Sequence, residues 1–236
     1  MADYPYYNGY RDAVHGALVQ QRHMDIISNN LANLNTPGFK SDRLIFNDYM
    51  TREIQTFHDQ GSLKVTDNPL DVAIGGDGYF QIKMPDGETR LTRSGSFHMT
   101  TQGALVDAMG RTVLDENKAP INLNPEGGKI FIDSEGGVNQ GNERVGALGV
   151  VTVKDKNILQ KQGANTFLAK EGKQLQTVPA TDYTITQGAL EASNVVVVRE
   201  MVGMINAFRA FESYQKAIHT MGEIDSKAAN QVGRVG

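Results

Sequence analysis

Residues 27–40 read Ile27-Ser28-Asn29-Asn30-Leu31-Ala32-Asn33-Leu34-Asn35-Thr36-Pro37-Gly38-Phe39-Lys40, and the chain changes character inside this stretch. On its N-terminal side Val14, Ala17, Gln21, Met24, Ser28, Leu31 and Leu34 recur at spacings of three and four. That period predicts an amphipathic helix from about Asn8 to Asn35, with Gln21 and Ser28 as polar positions in its seam. Pro37 stops the helix. Proline disfavours helical geometry in the residue before it, and Pro-Gly suits the central positions of a type II turn. Asn29, Asn30, Asn33 and Asn35 are unusual helix residues, because asparagine competes for backbone hydrogen bonds. They mark either a fraying end that feeds the turn or amides that bond across packed helices and set their register.

Beyond the turn, glycine takes over: 18 of the 25 glycines fall between Gly61 and Gly188, and no proline follows Pro179. Phe80, Ile82 and Met84 alternate with Tyr79, Gln81 and Lys83, Met84 to Gly87 supplies a turn, and Arg90 to Arg93 can return as a partner strand. Ala104 to Val106 and Arg111 to Leu114 flank a second turn, and Lys129 to Ile132 leads into a third at Asp133 to Gly137. Gly149 to Val153 is a further strand signal. Turns every ten or so residues predict an all-β body. Phe39 to Gln60 reads as a connector with a short helix near Asn47 to Glu53. Gly75-Gly76-Asp77-Gly78 lacks the lysine and the serine or threonine of a phosphate loop and reads as a tight turn. Asp71 and Asp77 beside it form no completed site.

From about Glu191 to Asn230 the helical period returns. Val198, Met201, Ile205, Phe208, Glu212, Gln215 and His219 share one stripe, widened by Phe211, Ile218 and Met221. A stripe that wide exceeds what one partner helix covers, so part of it is expected to be buried only on assembly. Gly203 and Gly222 each cost about 1 kcal/mol relative to alanine in a helix interior, a cost that close approach of a neighbouring helix offsets.

The plan is therefore helix, β body, helix: an α+β chain with a mainly β body, whose two terminal helices are expected to pair as a coiled coil. Composition narrows the function. With no cysteine, disulfides and thiolate metal sites are excluded. A net charge of -4 argues against nucleic acid, which needs a basic stripe. The longest purely aliphatic run, Val195 to Val198, is far short of the roughly 20 residues that span a bilayer, so no membrane insertion is expected. Met1 to Tyr10 is tyrosine-rich and polar, unlike a cleaved secretory signal. The five histidines show no metal-ligand spacing and no serine sits in a G-x-S-x-G elbow, so no catalytic residue, metal or cofactor is expected.

The residues quoted resemble the bacterial flagellar rod and hook protein family. Ile27 to Lys40 resembles its amino-terminal signature, Asn68-Pro69-Leu70-Asp71-Val72-Ala73-Ile74-Gly75-Gly76-Asp77-Gly78-Tyr79-Phe80 a second block, and Thr92-Arg93-Ser94-Gly95-Ser96-Phe97 with Gly103 to Val106 a third. Gly188-Ala189-Leu190-Glu191-Ala192-Ser193-Asn194-Val195, Glu200-Met201-Val202 and Arg209-Ala210-Phe211-Glu212 resemble the carboxy-terminal signature. The short connector before Asn68 and the ending Ala228 to Gly233 are most similar to the proximal-rod type.

The resemblance implies a structural, non-catalytic rod subunit, assembling helically into the axial shaft that transmits torque and encloses the export channel. Implied partners are copies of itself, other rod and hook-basal-body proteins, and the flagellar type III export apparatus, with passage across the cytoplasmic boundary needing no cleaved signal. The implied organisation is an N-terminal helix in 1–38, a connector in 39–60, a hook-like β domain in 61–188 and a C-terminal helix in 189–236. Candidate assembly residues are Val14, Met24, Asn29, Asn30, Leu31, Asn33, Leu34, Val198, Met201, Ile205, Phe208, Phe211, Gln215 and Ile218. A distal-rod or hook-type subunit is the near alternative, and a β-rich ligand-binding module with helical dimerisation ends the distant one.

Overall fold

The computed structural model describes residues 5–46, 52–163, 165–173 and 176–232, which form two compact units. The first unit holds α1 (Pro5–Ala32), β1 (Asp42–Phe46), the start of β2 (Arg52–Thr56), which pairs with β1, and α2 (Val197–Val232). The ladder corrects part of the expected connector. Positions 47–51 of the expected short helix lie outside the described residues, while Arg52 and Glu53 open a strand.

The helices run antiparallel. Asn30 bonds to Glu200, Gly203 lies against Ile27, Gly16 against the ring of Tyr214, and Gly9 near Met221. The face α1 turns inward is Ala13, Gly16, Ala17, Ile27 and Asn30, whereas Gln21 and Ser28 are exposed and Val14, Met24 and Leu31 half-buried. Ala17 belongs to both, and the seam otherwise sits about one residue before the expected stripe. Its small residues let the helices approach closely, a property that a search for large apolar side chains passes over.

On α2 the displacement is larger. Glu200, Gly203, Ala207 and Tyr214 face α1, and at about 100° per residue the stripe Val198, Met201, Ile205 and Phe208 lies close to half a turn away. Both helices are also shorter at the turn-facing end than the period suggests. Asn33 to Asn35 already form a turn, and Glu191 belongs to a strand.

The second unit, residues 33–41 and 55–195, is the β body. Its strands are β3 (Leu63–Val65), β4 (Val72–Gly76), β5 (Tyr79–Lys83), β6 (Thr89–Thr92), β7 (Phe97–Met99), β8 (Leu105–Asp107), β9 (Thr112–Val113), β10 (Ile130–Ile132), β11 (Gly137–Gln140), β12 (Glu143–Ala147), β13 (Val150–Val153), β14 (Leu159–Gln162), β15 (Thr166–Ala169), β16 (Thr177–Pro179), β17 (Tyr183–Gln187) and β18 (Ala189–Glu191). One large antiparallel sheet runs β14-β15-β6-β5-β9-β8-β7, with β13 pairing both β5 and β16. Smaller ladders are β10-β11-β12, β17-β4 and β18-β3.

The hairpins expected from turn chemistry form: β5 with β6, β8 with β9, and β10 with β11. The alternation in β5 separates two cores rather than a core from solvent. Phe80 and Ile82 pack with Val72, Phe97 and Val113, and the Phe80 and Phe97 rings meet edge to face at 5.1 Å. Tyr79, on the other side, packs with Leu91, Val153 and Phe167.

Candidate assembly surface and segment junction

The first three turns of α2 present an apolar face away from α1. Val198 is 72% exposed, and Met201, Ile205 and Phe208 are 54%, 53% and 53% exposed. Val202 flanks them. Further along, the same side of the helix carries Glu212, Gln215 and His219, all exposed, so the apolar strip stops near Phe208. Exposed large side chains scattered singly are ordinary on a protein surface, whereas a contiguous run marks an interaction site.

The remaining candidate residues divide. Phe211 and Ile218 are half-buried, as are Val14, Met24, Leu31, Asn33 and Leu34. Asn29 is exposed and Asn30 is buried. The Asn30 amide donates to Glu200 Oε2 at 3.1 Å and to the Asp42 carbonyl at 2.8 Å, and its oxygen accepts from the Asp42 amide at 3.0 Å. It joins α1, β1 and α2. Asn33 serves the turn instead: its carbonyl accepts from the Thr36 amide and its side-chain oxygen from the Thr36 hydroxyl.

The turn itself forms as its chemistry dictates. Phe39 N–H bonds to the Thr36 carbonyl, with Gly38 at φ +68. A Cβ on Gly38 would stand 2.5 Å from the Arg93 carbonyl carbon and the Ser94 nitrogen, so glycine is required twice over here.

That close approach leads to a cluster absent from the expected site residues. Lys40, Arg93 and Glu191 come from three of the sequence blocks and are all buried. Glu191 Oε1 accepts from Lys40 Nζ at 2.6 Å and from the Gly61 amide at 2.8 Å, and Oε2 accepts from Arg93 Nε at 2.5 Å. Lys40 also donates to the Asp59 carbonyl. Burial pushes the Lys40 ammonium below its ordinary pKa, and the Glu191 carboxylate beside it opposes that shift.

Arg93 donates its terminal nitrogens to the carbonyls of Ile74, Gly76 and Gly78. The glycine-rich segment is therefore a carbonyl cradle for a guanidinium. A phosphate loop would turn N–H groups inward; this one turns oxygens. Asp77 pairs outward with Lys156 at 2.7 Å. Nearby, Asn194 accepts from the Ser41 amide and donates to the carbonyls of Phe57 and Asp59. The segments that leave α1 and enter α2 are thus stitched together within the β body. A signal was present in the sequence: Ile27–Lys40, Thr92–Phe97 and Gly188–Val195 each carry one charged residue amid small, polar or apolar neighbours.

Comparison with known proteins agrees with this architecture. Residues 13–40 match the family model described as flagella basal body rod protein. Residues 73–140 match the flagellar hook protein FlgE/F/G D1 domain, and residues 186–232 the flagellar basal body rod FlgEFG protein C-terminal region. The flagellar basal-body rod protein FlgF of Caulobacter vibrioides is 33% identical, covering 91% of this chain and 94% of its own. FlgG of Bacillus subtilis is 32% identical over 89% and 93%, and FlgF of Mesorhizobium japonicum 31% identical over 94% and 96%. The chain belongs to the flagellar basal-body rod protein family, and its place is that of a structural subunit in the basal-body rod.

Proposed function

We propose that this subunit self-assembles helically, using the exposed face from Val198 to Phe208 as a principal contact between copies. A helical polymer arises from heterologous contacts that do not close, and such contacts need complementary surface rather than catalytic groups. The paired terminal helices, 1–38 and 189–236, act as a coiled-coil axial part that surrounds the export channel, and the body from 61 to 188, joined through 39–60, forms an outer layer. The rod crosses the periplasm and carries torque. Its subunits reach their place through the flagellar type III export apparatus without a cleaved signal, and they bind neighbouring rod and hook-basal-body proteins there. The observation that carries this reading is the apolar strip on α2, which no described residue of the first unit covers.

The proximal-rod type is the better fit of the two rod types. The alignment with the Caulobacter FlgF spans 232 positions for 91% of this chain, whereas that with FlgG of Buchnera aphidicola spans 250 positions for 90%. The FlgG relatives therefore need more inserted positions, as the short connector implies.

Phe208→Asp tests the assembly face. Incorporation of the variant into basal bodies should be lost while the purified chain keeps its fold. Normal incorporation would show that this face stays in solvent in the rod. Deletion of the gene should abolish flagella; normal flagella in the deletion strain would remove the rod assignment altogether.

A further inference from the structure

The charges of the junction cluster do not balance. Two cations, Lys40 and Arg93, face one carboxylate, and the three residues are 1%, 4% and 1% exposed in the order Lys40, Arg93, Glu191. Two other carboxylates act only from the surface. Asp59 is exposed, its backbone oxygen accepts from Lys40, and its charge opposes the burial of the ammonium less than Glu191 does; Asp77 is paired with Lys156. The charge of Arg93 acts on the Lys40 ammonium in the same sense as burial, with Glu191 as the main opposing influence.

Glu191 also stands far along the chain, 151 positions from Lys40 and 98 from Arg93. Two early segments therefore bring like charges into one buried place, and a late segment brings the counter-charge. Burying either cation without that carboxylate is costly, because an unpaired charge loses its hydration with nothing in exchange.

We propose that Glu191 gates the closure of this part of the β body, so that residues 38–41 and 57–61 cannot seat until the segment 188–194 has docked. The strands around Phe80 and Phe167 do not depend on the cluster for their ladders and can form first. A chain whose C-terminal segment has not yet joined then holds Lys40 and Arg93 hydrated and apart. The device enforces an order of folding through electrostatics, and substituting either cation by a neutral residue of similar shape should weaken it.

The test uses full-length chains carrying Glu191→Gln, Lys40→Met or both, followed by residue-resolved amide exchange. The Phe57 amide is the reporter, because its bond to the Ser41 carbonyl, at 2.8 Å, joins the two segments that the gate holds open. Glu191→Gln should speed its exchange by about a hundredfold or more, the change expected when one partner of a buried ion pair is lost. The Phe80 and Phe167 amides should hold. Adding Lys40→Met should restore at least about tenfold of that protection, since one of the two uncompensated cations is gone. In pulse-labelled refolding of the unsubstituted chain, Phe57 should gain protection together with Ala192, whose amide bonds to Ser62, and in Lys40→Met it should gain it earlier. Unchanged exchange in Glu191→Gln overturns the proposal, as does a double variant no better protected than the single, or Phe57 protected before Ala192 in the unsubstituted chain. If Glu191→Gln does not fold, folding of the double variant supports the gate and its failure refutes it.

Discussion

Gly16→Ala and Gly222→Ala place the same methyl group on the two long helices and should move stability in opposite directions. An alanine in place of glycine in a helix interior gains about 1 kcal/mol from backbone entropy. At Gly222 nothing lies within 4 Å of the added Cβ, so the whole gain should appear. At Gly16 the Cβ would sit 2.5 Å from Cε1 and Cζ of Tyr214, well inside contact distance. Forcing the ring or the helices apart costs about 1–3 kcal/mol in a well-packed interface, so the net change should be zero to about 2 kcal/mol destabilising. The two variants should therefore differ by about 1–3 kcal/mol, or several degrees in melting temperature at about 2–4 °C per kcal/mol for a chain of this length. Thermal unfolding followed by helical circular dichroism reads the difference. Tyr214→Ala supplies the control: in that background Gly16→Ala should become stabilising, because the two sites then no longer couple. Equal stabilisation by the two alanines in the unsubstituted background would refute the close helix approach at Gly16.

Phe208→Asp should leave the melting temperature of the isolated chain nearly unchanged, within about 0.5 kcal/mol, because the ring is already half exposed; a large loss would mean that Phe208 supports the fold itself. Gly95→Ala should destabilise by about 3 kcal/mol, since its Cβ would run into the Val72 carbonyl oxygen while the Gly95 carbonyl holds the Val72 amide; a urea midpoint equal to that of the unsubstituted chain would show that the backbone there is free to shift. Lys40 should give stability a characteristic alkaline slope. Its folded pKa lies below the ordinary 10.5, so between the two values the unfolded chain holds a proton that the folded chain has released. Stability from this group therefore rises as pH rises through that window and is lost as pH falls through the folded value. Urea midpoints compared with Lys40→Met across the alkaline range should diverge in that sense, and a constant gap would contradict the burial of the ammonium.

What could be read from the chain was local. Pro37 and Gly38 announced the turn, and Met84 to Gly87 and Asp133 to Gly137 announced hairpins whose partners are adjacent in sequence. Pairings between distant segments left no such mark. The partners of Val150–Val153 are Tyr79–Phe80 and Thr177–Pro179, which no turn signal connects. The helix seam was displaced because Gly16, Gly203 and Ala207 contribute by being small, while the large apolar side chains at the start of α2 face away. Lys40, Arg93 and Glu191 stood inside the recognised blocks, but charge in a sequence reads by default as surface, and only the fold shows that the three meet.

The β3–β18 ladder has a consequence for how such chains can diverge. Leu63 to Val65 lies against Ala189 to Glu191, with Ala192 N–H on the Ser62 carbonyl and Thr66 N–H on that of Gly188. The route out to the body and the route back are fastened side by side at its base. Everything between behaves as one large loop with a fixed mouth, and the entropy of lengthening such a loop rises only with the logarithm of its length. Insertions and deletions beyond the mouth need not disturb the signature segments that close it. Sister subunits of different sizes can then arise by lengthening or trimming that loop, with the same ends kept.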